Sequence, residues 1–182
     1  MTKAKKEDTD EQLPEIMEGQ QCPVCGKKTL TLVEAERDVP FFGKVFLFSM
    51  DCSECDFHKA DLETDHSGKP VKTTYEVTCE DDMKVRVIKS SSATVKIPRI
   101  TTIKPGAASN GYITNLEGIF NRVKKQIENV RDSSDDKTEQ KKAKNLLKKI
   151  RKIMWGEESI KVTIEDPNGN SAIISEKTEV KK

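Results

Sequence analysis

Histidine and large aromatics are scarce in this chain: two His, two Tyr and one Trp among 182 residues. Both histidines, His58 and His66, precede the main run of strand-like segments. A two-His, one-carboxylate iron site inside a β-domain is therefore excluded. There is also no nucleophile elbow and no phosphate-cradling glycine loop, so no enzymatic activity is expected. The shortage of Tyr and Trp leaves few platforms for stacking nucleic-acid bases. No apolar run is long enough to span a bilayer and no charged-then-apolar leader is present, so a soluble, cytoplasmic protein is expected. An overall charge bias is missing as well: 32 Lys plus Arg face 31 Asp plus Glu, a net +1. That excludes a whole-protein polyelectrolyte role but leaves room for local patches.

What is present begins with cysteine. Five occur, at Cys22, Cys25, Cys52, Cys55 and Cys79, and four of them form two Cys-x-x-Cys pairs. An odd count in paired spacing suits a metal site better than a secreted disulfide framework. Structural zinc takes four ligands in a tetrahedron, and each Cys-x-x-Cys turn offers two thiolates to one side of the ion. Pro23 stiffens the first turn and Gly26 suits its tight backbone. The 26 residues between Cys25 and Cys52 allow one strand out and one back. The expectation is a zinc ribbon with one structural zinc on Cys22, Cys25, Cys52 and Cys55; a redox dithiol, unpaired thiols and an iron site are the other readings of the spacing. Four thiolates close the shell and leave no position for a catalytic water. His58 is expected at the surface, and Cys79, ending a strand pattern, as a buried or half-buried thiol.

The remaining chain divides by composition and period. Residues 1–20 and 176–182 are polar and charged and are expected to be disordered tails. Residues 21–62 carry the zinc ribbon, with strands over Thr29–Glu34 and Lys44–Asp51. Residues 63–70, "ETDHSGKP", look like a linker. Residues 71–175 form a β-domain of short β-branched runs such as "TTYEV", "KVRVI" and "ATVKI". Within it, residues 115–155 change to a helical period. Leu116, Ile119, Phe120, Val123, Ile127 and Val130 mark one apolar stripe, and Ala143, Leu146, Leu147, Ile150, Ile153 and Met154 another. Thr114 and Glu117 make a capping box for the first helix, "RDSSDD" breaks the pattern, and Gly156 closes the second. The two helices should pack as an antiparallel hairpin. After it, Ile160, Val162 and Ile164 alternate with polar residues, "DPNGN" turns the chain, and "SAIIS" is expected to pair back in a β-hairpin. No internal repeat is visible.

One stretch is unusual for so hydrophilic a chain. Val39 to His58, "VPFFGKVFLFSMDCSECDFH", holds five of the six phenylalanines. Alternation puts Phe46, Phe48, Met50 and Cys52 on one face of a strand and Val45, Leu47, Ser49 and Asp51 on the other. A ribbon this small has core for one such face only. Phe41 and Phe42 lie between Pro40 and Gly43 at a turn, either tucked against the next domain or held out for a ligand.

Four blocks, "CPVC…VPFFGKVFLFSMDCSEC", "SSATVKIPRI", "GYITNLEGI" and "EDPNGNS", resemble in that order the signature blocks of the ZPR-type zinc-finger proteins. The resemblance spans roughly residues 20–175. It implies a four-cysteine zinc finger followed by an A domain, a double-stranded β-helix or jelly-roll-like barrel interrupted by a helical hairpin. Together with the periodicity this makes the fold class mainly β with a helical hairpin. Eukaryotic members carry two such modules, and this chain resembles the single-module archaeal form. The family further implies binding to the GTPase translation elongation factor 1-alpha, with a role in its folding or maturation. Arg99 departs from the pattern, which leads one to expect an acidic residue there.

Two functions are weighed on these residues. The first is a protein-binding chaperone or adaptor, with Phe41, Phe42, Arg99, Asp166 and Asn168 as candidate contacts; Asn168-Gly169 is equally a good structural turn. The second is nucleic-acid binding through the basic hairpin. Residues 115–155 hold twelve Lys plus Arg against six Asp plus Glu, a local net of +6.

Overall fold

A computed structural model of the chain describes residues 13–40, 42–65 and 68–181. It forms two compact units, residues 1–65 and 66–182.

The first unit is one antiparallel sheet of β1 (Glu15–Gln20), β2 (Leu30–Val39), β3 (Gly43–Cys52) and β4 (His58–Thr64), in that spatial order. The centre is a long β2–β3 hairpin whose register runs from Leu30 opposite Cys52 to Val39 opposite Gly43. Both cysteine pairs fall at one end, between β1 and β2 and between β3 and β4. The Pro40 turn closes the other end. There Phe42 N–H donates to the Val39 carbonyl at 2.9 Å, and Gly43 takes a φ of +101° that only glycine adopts easily. Ten strand residues at about 3.3 Å each place that turn roughly 30 Å from the cysteines.

β2 runs five residues past the expected end at Glu34, and three boundaries of the expected tails and linker also differ from the sequence reading. Glu15–Gln20, expected in a tail, is an edge strand paired to β2, with its register shifting between Met17 and Gln20 around Gly19 at φ +72°. It is exposed along most of its length, so ladder hydrogen bonds hold it and no apolar period announces it. Glu63 and Thr64, expected in the linker, extend β4 opposite Phe46 and Val45. Likewise Glu179–Lys181 (β12), expected in a tail, adds an exposed edge strand beside β5 (Val71–Val77). Tail residues 1–12 and 182, and His66 in the linker, lie outside the described residues.

The second unit has two antiparallel sheets. One orders β12, β5 (Val71–Val77), β10 (Ile160–Asp166), β7 (Thr94–Ile97) and β8 (Thr101–Ile103). The other orders β11 (Ala172–Ile174), β6 (Arg86–Lys89) and β9 (Tyr112–Asn115). Strand alternation fills the core they share. Tyr75, Val77, Val95, Val162 and Ile164 come from the first sheet, and Val87 and Ile173 from the second. Burying such side chains contributes about 1.5–3 kcal/mol each, and this cluster is the main source of cohesion in the unit. "SAIIS" does not pair back on β10 as expected: β11 lies against β6, so the turn after β10 carries the chain from one sheet to the other.

Between β9 and β10 the chain leaves as α1 (Leu116–Ser133) and returns as α2 (Lys137–Met154). Leu116, Ile119, Phe120 and Val123 of α1, with Ile150 and Ile153 of α2, complete the core. The start of α1 is one residue later than expected. Asn115 is the cap, its Oδ1 accepting from Gly118 N–H at 2.8 Å, while Thr114 remains in β9. "RDSSDD" interrupts the helix only after Ser133, and Asp136 caps α2 by accepting from Thr138 N–H at 2.7 Å. At the far end Gly156, at φ +72°, makes a Schellman closure: its N–H reaches Ile153 O at 3.0 Å and Glu157 N–H reaches Lys152 O at 2.8 Å. Gly156 also lies tight against the backbone of Cys79, which is exposed, not buried as expected, because β5 ends at Val77 and the chain turns outward into a short 3-10 segment, Glu80–Lys84. Among the described residues no helix is long and apolar enough to cross a membrane.

Candidate metal centre and exposed turns

The sulfurs of Cys22, Cys25, Cys52 and Cys55 all lie within 4.8 Å of one another. Two of the edges are short: Cys22 to Cys55 is 3.7 Å and Cys25 to Cys52 is 3.8 Å. A tetrahedron with Zn–S bonds of about 2.3 Å has edges of about 3.8 Å, so the donor set fits one zinc ion. The two knuckles are built alike. Gly26 follows Cys25 at φ +72° and Asp56 follows Cys55 at φ +53°, the left-handed residue each turn needs. Gly26 N–H closes the first turn on the Cys22 carbonyl at 2.9 Å, and Cys52 N–H bonds the Phe57 carbonyl at 2.9 Å in the second. Leu30 packs between buried Cys22 and Cys52, with Phe57 beside them. An ion pair between Lys27 and Glu54 ties the two turns together outside the sulfurs.

Two of the thiols are shifted, in opposite directions. The Thr29 hydroxyl, 3.3 Å from Cys52 Sγ, and the Glu54 backbone N–H bring the Cys52 thiol down to about 6. The Phe57 backbone N–H acts the same way on Cys55, but burial and the three neighbouring sulfurs prevail and push it up to about 12. A zinc ion held by these cysteines would favour their deprotonated, thiolate form. His58 is not a fifth ligand. It opens β4 at the surface, with Nδ1 2.6 Å from Asp51 Oδ1 across the ladder.

The other candidate residues are dispersed. Phe41 lies outside the described residues. Phe42 is half-buried, as are Phe46, Leu47 and Phe48, while Val45 is buried. Arg99 is exposed in the β7–β8 turn at φ +61°. Pro98 occupies the second place of that turn and Ile100 N–H returns to the Ile97 carbonyl at 3.1 Å. The third place of such a turn is one glycine normally takes. Asn168 is exposed as well, with Nδ2 3.3 Å from Ser92 Oγ, and its carbonyl accepts from Gly68 N–H at 2.7 Å. The ladder between β7 and β10 puts Arg99 and Asn168 at opposite ends of β7.

Asp166 has an internal position. Only 2 % exposed, it continues the inward series of Ile160, Val162 and Ile164. Its carboxylate accepts from Ser171 Oγ at 2.6 Å, Ser90 Oγ at 2.8 Å, Ser92 Oγ at 2.9 Å and Asn168 N–H at 2.9 Å. Burial acts to raise its pKa, but these four donors outweigh it and hold the carboxyl below the usual range. Ser92 of "SSATVKIPRI", Ser90 just before that block, and the turn "EDPNGNS" are therefore parts of one polar knot. Sequence reasoning missed Ser90, Ser92 and Ser171, although an aspartate in phase with buried Ile and Val was the signal that inward hydroxyls must meet it.

A four-thiolate zinc finger followed by a two-sheet jelly roll with an inserted helical hairpin defines a two-domain zinc-finger protein. A model of the ZPR1 zinc-finger domain matches residues 15–69, and one of the ZPR1 jelly-roll domain matches residues 81–182. The chain belongs to the ZPR1 family. An uncharacterized ZPR1-like protein of Methanocaldococcus jannaschii is 36% identical over 160 residues, covering 87% of this chain and 81% of that protein. One from Pyrococcus horikoshii is 32% identical over 177 residues, covering 94% and 79%. The zinc finger chaperone zpr1 of Schizosaccharomyces pombe is 30% identical over 158 residues, covering 84% of this chain but only 33% of that longer protein.

Proposed function

We propose that the chain is a zinc-dependent protein-binding module that acts in the cytoplasm as a folding or maturation chaperone, or adaptor, for translation elongation factor 1-alpha. The observation that carries the binding role is the metal centre. Four thiolates would fill the coordination shell of a zinc ion, which would then contribute shape and no reactive site. The choice of partner rests on the resemblance of the four sequence blocks, and the chaperone role is supported by the name of the fission-yeast relative. In this reading Phe41, Phe42, Arg99 and Asn168 face the partner, and Asp166 is the buried post that holds the Asn168 turn in place.

The test is a pull-down from native cell extract with the zinc-loaded chain and with Phe41→Ala and Phe42→Ala variants. Retrieval of the translation GTPase by the wild type and reduced retrieval by the variants are expected. If the wild type retrieves none, the reading falls; if the variants retrieve it equally, only those contacts fall. The basic hairpin favours RNA as a second reading, because residues 141–152 carry seven Lys or Arg and no acid. RNA binding with a steep salt dependence would support it.

A further inference from the structure

A groove of about 620 Å³ lies where α1, α2 and the Glu80–Lys84 segment meet. Its lining is two-sided in chemistry. Met83, Leu147, Met154 and Trp155 give it apolar surface, and Trp155 is 60% exposed there, the chain's one tryptophan. Lys124 of α1 and Lys144, Lys148 and Arg151 of α2 supply cations around it. The α2 residues follow helical spacing, so they form a continuous basic rail along one wall. Among the described residues, Lys124, Lys144 and Lys148 have no ion-pair partner. The Arg151 guanidinium lies 5.5 Å from the Trp155 ring centroid, which leaves its charge available.

We propose that this groove is a docking site for an acidic, amphipathic helical segment of a partner protein. Apolar side chains of the segment would cover Trp155, Leu147 and Met154, and its carboxylates would face the lysines of α2. The inference rests on the reading of the chain as a protein-binding module and names the chemistry of the segment bound. Charge complementarity selects the occupant. A helix laid in a groove is read through apolar anchors at three- and four-residue spacing, and the groove offers an apolar floor beside a cationic wall. A nucleic-acid backbone fits less well. Glu80, Glu117 and Glu128 also line the groove and repel a uniform run of phosphates, whereas a segment with carboxylates on one side only avoids them.

Trp155 makes the test direct, since all tryptophan fluorescence of the chain comes from the groove. The probe is a synthetic 18-residue amphipathic peptide with Leu and Phe on one face and Glu on the other. Controls are the same peptide with every Glu replaced by Lys, and an oligouridine. The acidic peptide is expected to shift Trp155 emission to the blue and to shield it from iodide. The double variant Lys144→Glu, Lys148→Glu should weaken binding at least tenfold, while Lys142→Glu, an exposed change on α2 outside the groove, should change it less than threefold. The proposal is overturned if the acidic peptide leaves the emission unchanged, if the lysine peptide binds equally, if Lys142→Glu weakens binding as much as the double variant, or if oligouridine gives the same shift. Peptide binding without retrieval of the translation GTPase from extract supports the groove and sinks the partner reading. Retrieval without peptide binding does the reverse.

Discussion

Ser171 Oγ lies 2.6 Å from Asp166 Oδ2, across the turn that takes the chain from one sheet of the jelly roll to the other. Ser90, at the end of β6, donates to the same carboxylate oxygen at 2.8 Å. One buried charge thus fixes where β10 stops and where β11 must go.

Removing that charge should be costly. Asp166→Ala leaves three hydroxyls and the Asn168 N–H without their acceptor, a loss of about 2–3 kcal/mol. Urea unfolding at neutral pH measures it, and Ser171→Ala should cost less, because the carboxylate keeps three donors. The same knot sets a pH response. The folded pKa of Asp166 is depressed, and that of buried Asp82, despite its burial, is held well below the carboxylate range by Tyr75 and the Thr78 and Cys79 N–H groups. Their contribution is present above the unfolded value of about 3.9 and lost as pH falls through the folded values. Tm should therefore decline below about pH 4, with a shallower slope in Asp166→Asn.

Zinc removal should act locally at first. Among the described residues, those buried at the knuckles are Cys22, Leu30 and Cys52, too few to hold the turns without the metal. A chelator is expected to release one zinc per chain and abolish amide protection at the knuckle ends of β2 and β3. Amides of β10 and α1, in the jelly-roll core, should stay protected. Hydrogen exchange with and without chelator reads both.

Arg99 tests stability against function. Its φ of +61° strains any residue with a Cβ, by about 1–2 kcal/mol. Arg99→Gly should raise the unfolding midpoint. If Arg99 is a partner contact, the same variant should bind the partner less well, and thermal melts and pull-downs made side by side separate the two effects.

Gly156→Ala should be strongly destabilising for a simple reason of space. A Cβ there would lie 2.9 Å from both Cys79 Cα and Glu80 N, backbone atoms that cannot rotate away, at a φ of +72°. A loss of about 2 kcal/mol or more is expected, measured by denaturant melts; Gly106→Ala, which meets no atom within 4 Å, is the control.

The parts legible in the sequence were those encoded by local pattern. Paired cysteines announce the metal because two residues between them let one tight turn present both thiolates to the same ion. The stripes from Leu116 and Ala143 announce the hairpin because each helix has one buried face. What escaped was set by partners distant in the chain. β1 and β12 are edge strands with mostly exposed side chains, visible only through the ladders of β2 and β5. "DPNGN" has the composition of a hairpin turn, yet the Asp166 knot with Ser90 and Ser92 directs β11 to β6. Asp166 looked like a surface turn residue by composition, and only its phase with Ile160, Val162 and Ile164 argued for the inside.

Titration calorimetry of the zinc-loaded chain against purified elongation factor 1-alpha tests the central claim most directly. The account predicts a one-to-one complex that persists at moderate salt and disappears after chelation. No heat of binding to the factor, with binding to RNA that weakens steeply as salt rises, would contradict it.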